Sequence, residues 1–129
     1  MPNLNYQRGN YGEIRAADML RELGYVVWQT RGSKGAADLL AIKAHGVVLA
    51  QVKWRSARAD HHGWNSLYEL GQLLDAIPLW IDCLPNPDHA GTYNLRVRHI
   101  IGWHEKRSTV WPSQSWPINE RENGSLIHG

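Results

Sequence analysis

Between Ser33 and Lys53 two short apolar runs carry a carboxylate, an amide oxygen and an ammonium: Asp38 in the first run, Gln51 and Lys53 in the second, with a small turn around His45-Gly46 between them. Side chains alternate along a strand. Gln51 and Lys53 therefore share one face, while Val48, Ala50, Val52 and Trp54 line the other; in the first run Asp38 shares a face with Leu40 and Ile42. An acid at the start of one strand can thus meet an oxygen ligand and a lysine at the end of its neighbour. Hard oxygen donors hold a divalent metal, and a nearby cation helps activate a water.

A fourth polar residue joins them from upstream. Residues 10–23 follow a helical period, with Ile14, Ala16, Ala17, Met19, Leu20 and Leu23 as the apolar stripe and Arg15, Asp18 and Glu22 opposite. At about 100° per residue Glu13 falls inside the stripe, between Ala17 and Leu20. Such a carboxylate either finds a cation or a metal or simply favours the helix dipole from the first turn. Taken singly, Glu13, Asp38, Gln51 and Lys53 each have an ordinary structural explanation. Three polar residues in core-like positions point to one shared site.

The elements that must position them follow in order. Residues 1–7 read as a loose lead-in, residues 10–23 as a helix closed by Gly24, and Tyr25–Thr30 as a strand rich in valine and aromatics. Arg31-Gly32-Ser33-Lys34-Gly35 is a basic, Gly-punctuated loop without P-loop spacing. After Lys53 the segment from Trp54 to His62 is polar and basic around one aromatic, which suits contact with nucleic acid or a solvated linker. Ser66-x-x-Glu69 matches a capping box and predicts a helix through Ala76, its buried side supplied by Trp64, Leu67, Tyr68, Leu70 and Leu74. Pro78–Cys83 reads as a buried strand and Thr92–Ile101 as a half-exposed one. One domain over residues 1–103 and an irregular tail over 104–129 are expected, with Trp111 and Trp116 packing back onto the domain or onto a second subunit.

Charge is unevenly spread. Residues 1–58 hold nine Lys/Arg and four Asp/Glu, whereas residues 59–129 hold five and eight, so a net +5 half precedes a net −3 half. The basic half holds the polar constellation, and a basic surface around carboxylates suits a polyanion. The single cysteine, Cys83, excludes an internal disulfide. With no signal-peptide pattern and no apolar run near the ~20 residues of a membrane span, a cytoplasmic address without membrane association is expected. His61, His62 and Cys83 lack zinc-site spacing.

The arrangement resembles the PD-(D/E)xK nuclease superfamily, and within it the archaeal-type Holliday junction resolvases and their phage relatives. The matching segments are Arg8-Gly9-Asn10-Tyr11-Gly12-Glu13, one residue longer than the family's basic-Gly-x-x-x-Glu start; Gly32-Ser33-Lys34-Gly35-Ala36-Ala37-Asp38-Leu39-Leu40-Ala41; Gln51-Val52-Lys53, where the family has E-V-K; and Ile77-Pro78-Leu79-Trp80-Ile81 after the second helix. The resemblance covers about residues 8 to 101. It implies an α/β fold with a restriction-endonuclease-like core, a mixed central sheet flanked by helices. It also implies a Mg²⁺-dependent phosphodiesterase, with Mn²⁺ as a substitute and no organic cofactor, that works as a homodimer on four-way or otherwise branched DNA. Carried over, Glu13, Asp38 and Gln51 are the metal ligands and Lys53 the catalytic lysine; Ser33 and Lys34, with Arg31, lie in a loop that meets DNA backbone. Arg55 and Arg58 are expected to join those phosphate contacts from the basic segment after Lys53. Gln51 departs from the pattern, leaving two carboxylates and a neutral oxygen in place of three carboxylates. A structure-selective nuclease and a branched-DNA-binding protein that lost cutting at Gln51 are the two readings. The joint presence of Lys53, Glu13 and Asp38 favours the enzyme.

Overall fold

A computed structural model describes residues 4–30, 36–54 and 59–117, with the backbone alone for residues 4–9. Helix α1 (Leu4–Glu22) is followed by β1 (Val26–Gln29), β2 (Leu39–Lys43), β3 (Gly46–Trp54), helix α2 (His61–Leu74), β4 (Ile77–Pro85), β5 (Tyr93–Ile100) and β6 (Ser113–Ser115). The six strands form one sheet in sequence order. Only β3 and β4 pair in parallel, joined by α2; the other four pairings are antiparallel. The expected mixed sheet flanked by helices is what the chain forms.

Each helix covers one face. Ala16, Ala17 and Leu20 of α1 pack on Leu39, Ala41, Val48, Ala50, Val52, Leu79 and Ile81. Trp64 and Leu67 of α2 pack on Leu49, Trp80 and Ile100 from the other side. The strand alternation inferred for residues 47–54 is thus the division between two core layers.

Several boundaries differ from expectation. Helix α1 starts at Leu4, inside the stretch read as a loose lead-in. Its buried stripe is narrower than predicted: Ile14 is 42% exposed, because it lies far round the helix from Ala16, Ala17 and Leu20, and Leu23 falls beyond the helix end. Helix α2 starts at His61, so Ser66 and Glu69 lie within it and form no capping box. The cap is Asp60, whose side chain accepts from the Gly63 N–H, a residue type that competes well at this position. Leu74, expected in the buried side, is at the C-terminal turn and exposed. Trp54, which looked exposed, is half-buried against Tyr93, with ring centroids 4.5 Å apart, and Tyr11, at 6.0 Å.

Residues 104–117, part of the stretch read as an irregular tail, carry β6 and close over both core layers. His104 is buried, its ring stacked on Trp111 at 3.5 Å, and Trp111 packs edge-on against Trp64. Trp116 packs beside Tyr25 at 6.2 Å. Asn65 and His104 exchange hydrogen bonds, from Asn65 Nδ2 to the His104 carbonyl and from the His104 N–H to Asn65 Oδ1. Among the described residues no helix is long and apolar enough to cross a membrane.

Candidate functional site

The site begins at a notch in the sheet. Strand β3 runs on to Trp54, but its neighbour β2 begins only at Leu39, which pairs with Ala50. Past that point no strand among the described residues pairs with the outer half of β3 on this side, and Asp38 completes the ladder. Its N–H donates to the Ala50 carbonyl at 2.7 Å, and its carboxylate Oδ2 accepts from the Val52 N–H at 2.9 Å. On the other flank the Asp38 carbonyl accepts from the Thr30 N–H, and the Thr30 hydroxyl donates to the Ala37 carbonyl. A side chain standing in for backbone in the plane of the sheet can be approached from both faces.

From the α2 face come Gln51 and Lys53. Asp38 bonds the main chain at Ala50 and at Val52, the two chain neighbours of Gln51. Both Asp38 and Gln51 are half-buried. Burial pushes the Asp38 carboxyl up, while the Val52 N–H and the Lys53 ammonium pull it back down. Lys53 is therefore within electrostatic reach of Asp38; its Nζ also lies 5.7 Å from the centroid of the Trp80 ring. The structure thus brings Asp38, Gln51 and Lys53 to one corner.

Glu13 reaches the same end of the sheet from the α1 face. Its Oε1 accepts from Gln29 Nε2 at 3.2 Å, and the same amide nitrogen reaches Asn10 Oδ1 at 3.4 Å. Gln29 pairs with Leu39, the residue after Asp38. Gln29 and Asn10 were not anticipated; the signal was a lone amide closing an otherwise apolar strand, on the face that α1 covers. Arg31, Ser33, Lys34, Arg55 and Arg58, the expected phosphate contacts, lie outside the described residues.

The donor set fits a hard divalent cation. It offers only oxygens, and Asp38 commits one of its two to backbone, which leaves the other for a ligand. A desolvated carboxylate is costly unless a cation offsets it. Among the described residues no three His, Cys, Asp or Glu side chains group to hold a metal. Asp82, another carboxylate on the α2 face, is no substitute, because its Oδ2 is taken by two arginines, at 2.8 Å from Arg96 Nη2 and 3.0 Å from Arg98 Nη2.

No protein-family profile matches the chain, and no curated protein sequence matches it. Among solved structures the fold is similar to that of Archaeoglobus fulgidus Hjc, a Holliday junction resolvase from an archaeal hyperthermophile. The TM-score is 0.52 with 18% sequence identity, over 69% of this chain and 74% of that one. At that identity the likeness is one of fold.

Proposed function

We propose that the chain is a metal-dependent endonuclease of the resolvase kind, hydrolysing phosphodiester bonds in branched DNA, with four-way junctions the leading substrate. The observation that carries the reading is Asp38, a desolvated carboxylate in the sheet notch that bonds the main chain on either side of Gln51 and lies within electrostatic reach of Lys53. The fold shared with a Holliday junction resolvase supports it.

Glu13, Asp38 and Gln51 would hold Mg²⁺. When bound, that ion relieves charge on the phosphoryl oxygens, lowers the pKa of a water and helps the leaving oxygen. The residues do the rest. Asp38 is held in place by the Val52 N–H, so its orientation costs little on substrate binding. Glu13 is steered by Gln29; it would hold the ion directly or through a water. Lys53 orients the attacking water or offsets charge that develops on the phosphate. The water oxygen forms the new P–O bond, the bond to the departing oxygen breaks, and that oxygen takes a proton.

Symmetric incision of two opposed strands asks for a C2 dimer. An open groove of about 830 Å³ runs along α2, lined by Tyr68, Leu70, Leu73 and Trp103 among others, and offers an apolar surface for it. Leu73 is 79% exposed and Trp103 48%.

A cleavage assay with Mg²⁺, comparing four-way junction, flap, nicked and plain duplex at equal concentration, tests the proposal. Preferential cutting of the junction supports it. The second reading, a branched-DNA binder without catalysis, is favoured by Gln51 itself. It holds if wild type binds junctions and fails to cut them under every metal tried, while Gln51→Glu cuts.

A further inference from the structure

The α2 face carries a second charged assembly beside Lys53. In the β3–β4 register Lys53 stands opposite Asp82, and in the β4–β5 register Asp82 stands opposite Arg96 while Trp80 stands opposite Arg98. Asp82 is 2% exposed, and its Oδ2 accepts from Arg96 Nε at 3.1 Å, Arg96 Nη2 at 2.8 Å and Arg98 Nη2 at 3.0 Å. Arg98 lies inside: its side chain is 21% exposed and its guanidinium sits 5.3 Å from the Trp64 ring centroid. Arg96 lies outside, at 57%.

One carboxylate needs one cation to be neutralised, and Arg98 with its cover of Trp64 already supplies it. Arg96 is the surplus charge and also the exposed one. Its guanidinium is gripped along one edge, through Nε and Nη2, which leaves Nη1 to face outward. A rigid fork held this way loses little rotamer freedom when it takes a second oxyanion. The array of Lys53, Arg96 and Arg98 against Asp82 is net positive by two. Strands lie about 4.8 Å apart, so Arg96 stands two strands, or about 10 Å, from Lys53. Successive phosphates of one strand follow a helical path about twice as long as the ~3.4 Å axial rise, and the distance is therefore one to two phosphates.

We infer that Arg96, fixed by Asp82 and Arg98, is a backbone-phosphate site that holds the DNA strand one or two nucleotides from the bond attacked beside Lys53. This rests on the proposed action on DNA. Arg96 supplies affinity and register without reading bases; Asp82 and Arg98 are positioning residues.

The test is fluorescence anisotropy of a labelled four-way junction bound by the full chain in EDTA, across a salt titration. Wild type, Arg96→Gln, Arg96→Lys and, as a control on α1, Arg21→Gln are compared. Each phosphate contact contributes a salt slope of about 0.9, which between 50 mM and 1 M amounts to about tenfold in affinity. Arg96→Gln is expected to bind about tenfold more weakly at 50 mM salt and to flatten the slope by about one. Arg96→Lys keeps the charge but loses the gripped fork, and falls between wild type and Arg96→Gln. Arg21→Gln matches wild type. Wild-type binding with Arg96→Gln equal to it in affinity and slope overturns this inference and leaves the proposed function standing. Absence of wild-type binding to any DNA overturns both. Should Arg96→Gln fail to fold by circular dichroism, Arg96→Lys against wild type decides in the same way.

Discussion

At Asp38 burial raises the carboxyl pKa, and the Val52 N–H and Lys53 offset only part of that rise. A folded-state pKa above the unfolded one means that this group favours folding below the ordinary aspartate range. The benefit is lost as pH rises through the raised value. Near pH 7 the ionised carboxylate is therefore a cost to the metal-free protein. Asp38→Asn, which keeps an oxygen for the Val52 N–H, is expected to melt above wild type at pH 7 in EDTA. The gap should close as pH falls below about 4. The same variant should lose cleavage and keep junction binding. A pH-independent gap would show that packing, not ionisation, sets it. Gln51→Glu acts in the opposite sense. A second carboxylate, on the residue between the two that Asp38 bonds, adds like-charge repulsion, so the metal-free variant should melt lower than wild type. Mg²⁺ should then raise its melting temperature more than it raises that of wild type, since a ligand that binds the folded state alone stabilises by mass action. A Mg²⁺ titration of the melting temperatures of both proteins checks it, and equal shifts would remove Gln51 from the ligand set.

The elements that hold these residues are tuned at two glycines, with opposite expectations. A Cβ at Gly12 of α1 would stand 3.5 Å from Cys83 Cβ and 3.6 Å from Val52 Cγ1, both ordinary contacts. Gly12→Ala should therefore stabilise by about 0.5–1 kcal/mol through helix propensity. At Gly71, in the last turn of α2, a Cβ would lie 2.9 Å from the Ala76 carbonyl oxygen and 3.0 Å from Pro78 Cδ. The obstacle is backbone and a rigid ring, so Gly71→Ala should cost about 1–3 kcal/mol. Urea denaturation of the two variants gives both signs. This scale also shows what the sequence could convey. Period-two alternation put Gln51 and Lys53 on one face and Val52 and Trp54 on the other, and the structure agrees because that rule is local. The start of α2 was misplaced because two capping signals, Asp60 and Ser66, compete within one turn and a half, and the choice depends on where Trp64 must pack. Asp82, Arg96 and Arg98 escaped notice because they meet only through the β3–β4–β5 register, which no periodicity encodes. Their half of the chain is also net acidic, so counting charge pointed away from them. Gln29 was missed for the same reason, since its partner Glu13 comes from another element.

Across the whole molecule the apolar groups left outside the two core layers bear on assembly. Leu73 and Trp103 are among them and lie together beside the α2 groove, and exposed apolar surface of this kind marks interaction sites. If the chain acts as a symmetric dimer through this groove, Leu73→Glu should lower its mass in light scattering at micromolar concentration from dimer to monomer. Cutting of the two opposed strands of one junction should then become uncoupled. A wild-type monomer, unchanged by junction DNA, would count against paired incision.

The in-order sheet has a kinetic consequence. Four of its five pairings join consecutive strands separated by stretches of chain no longer than that between Ile100 and Ser113, and such contacts form early at small entropic cost. The β3–β4 pairing is different, because it must wait until the whole of α2 has been laid across it. The late, expensive loop closure therefore lies in the β3–α2–β4 unit, the unit that also carries Gln51, Lys53 and Asp82. Truncations that weaken it, such as Leu67→Ala or Leu79→Ala, should slow refolding. Truncation at the edge, such as Val27→Ala in β1, should mainly speed unfolding. In a chevron plot the first pair should displace the folding arm and the last the unfolding arm; the reverse pattern would place the nucleus in the β1–β2 hairpin instead.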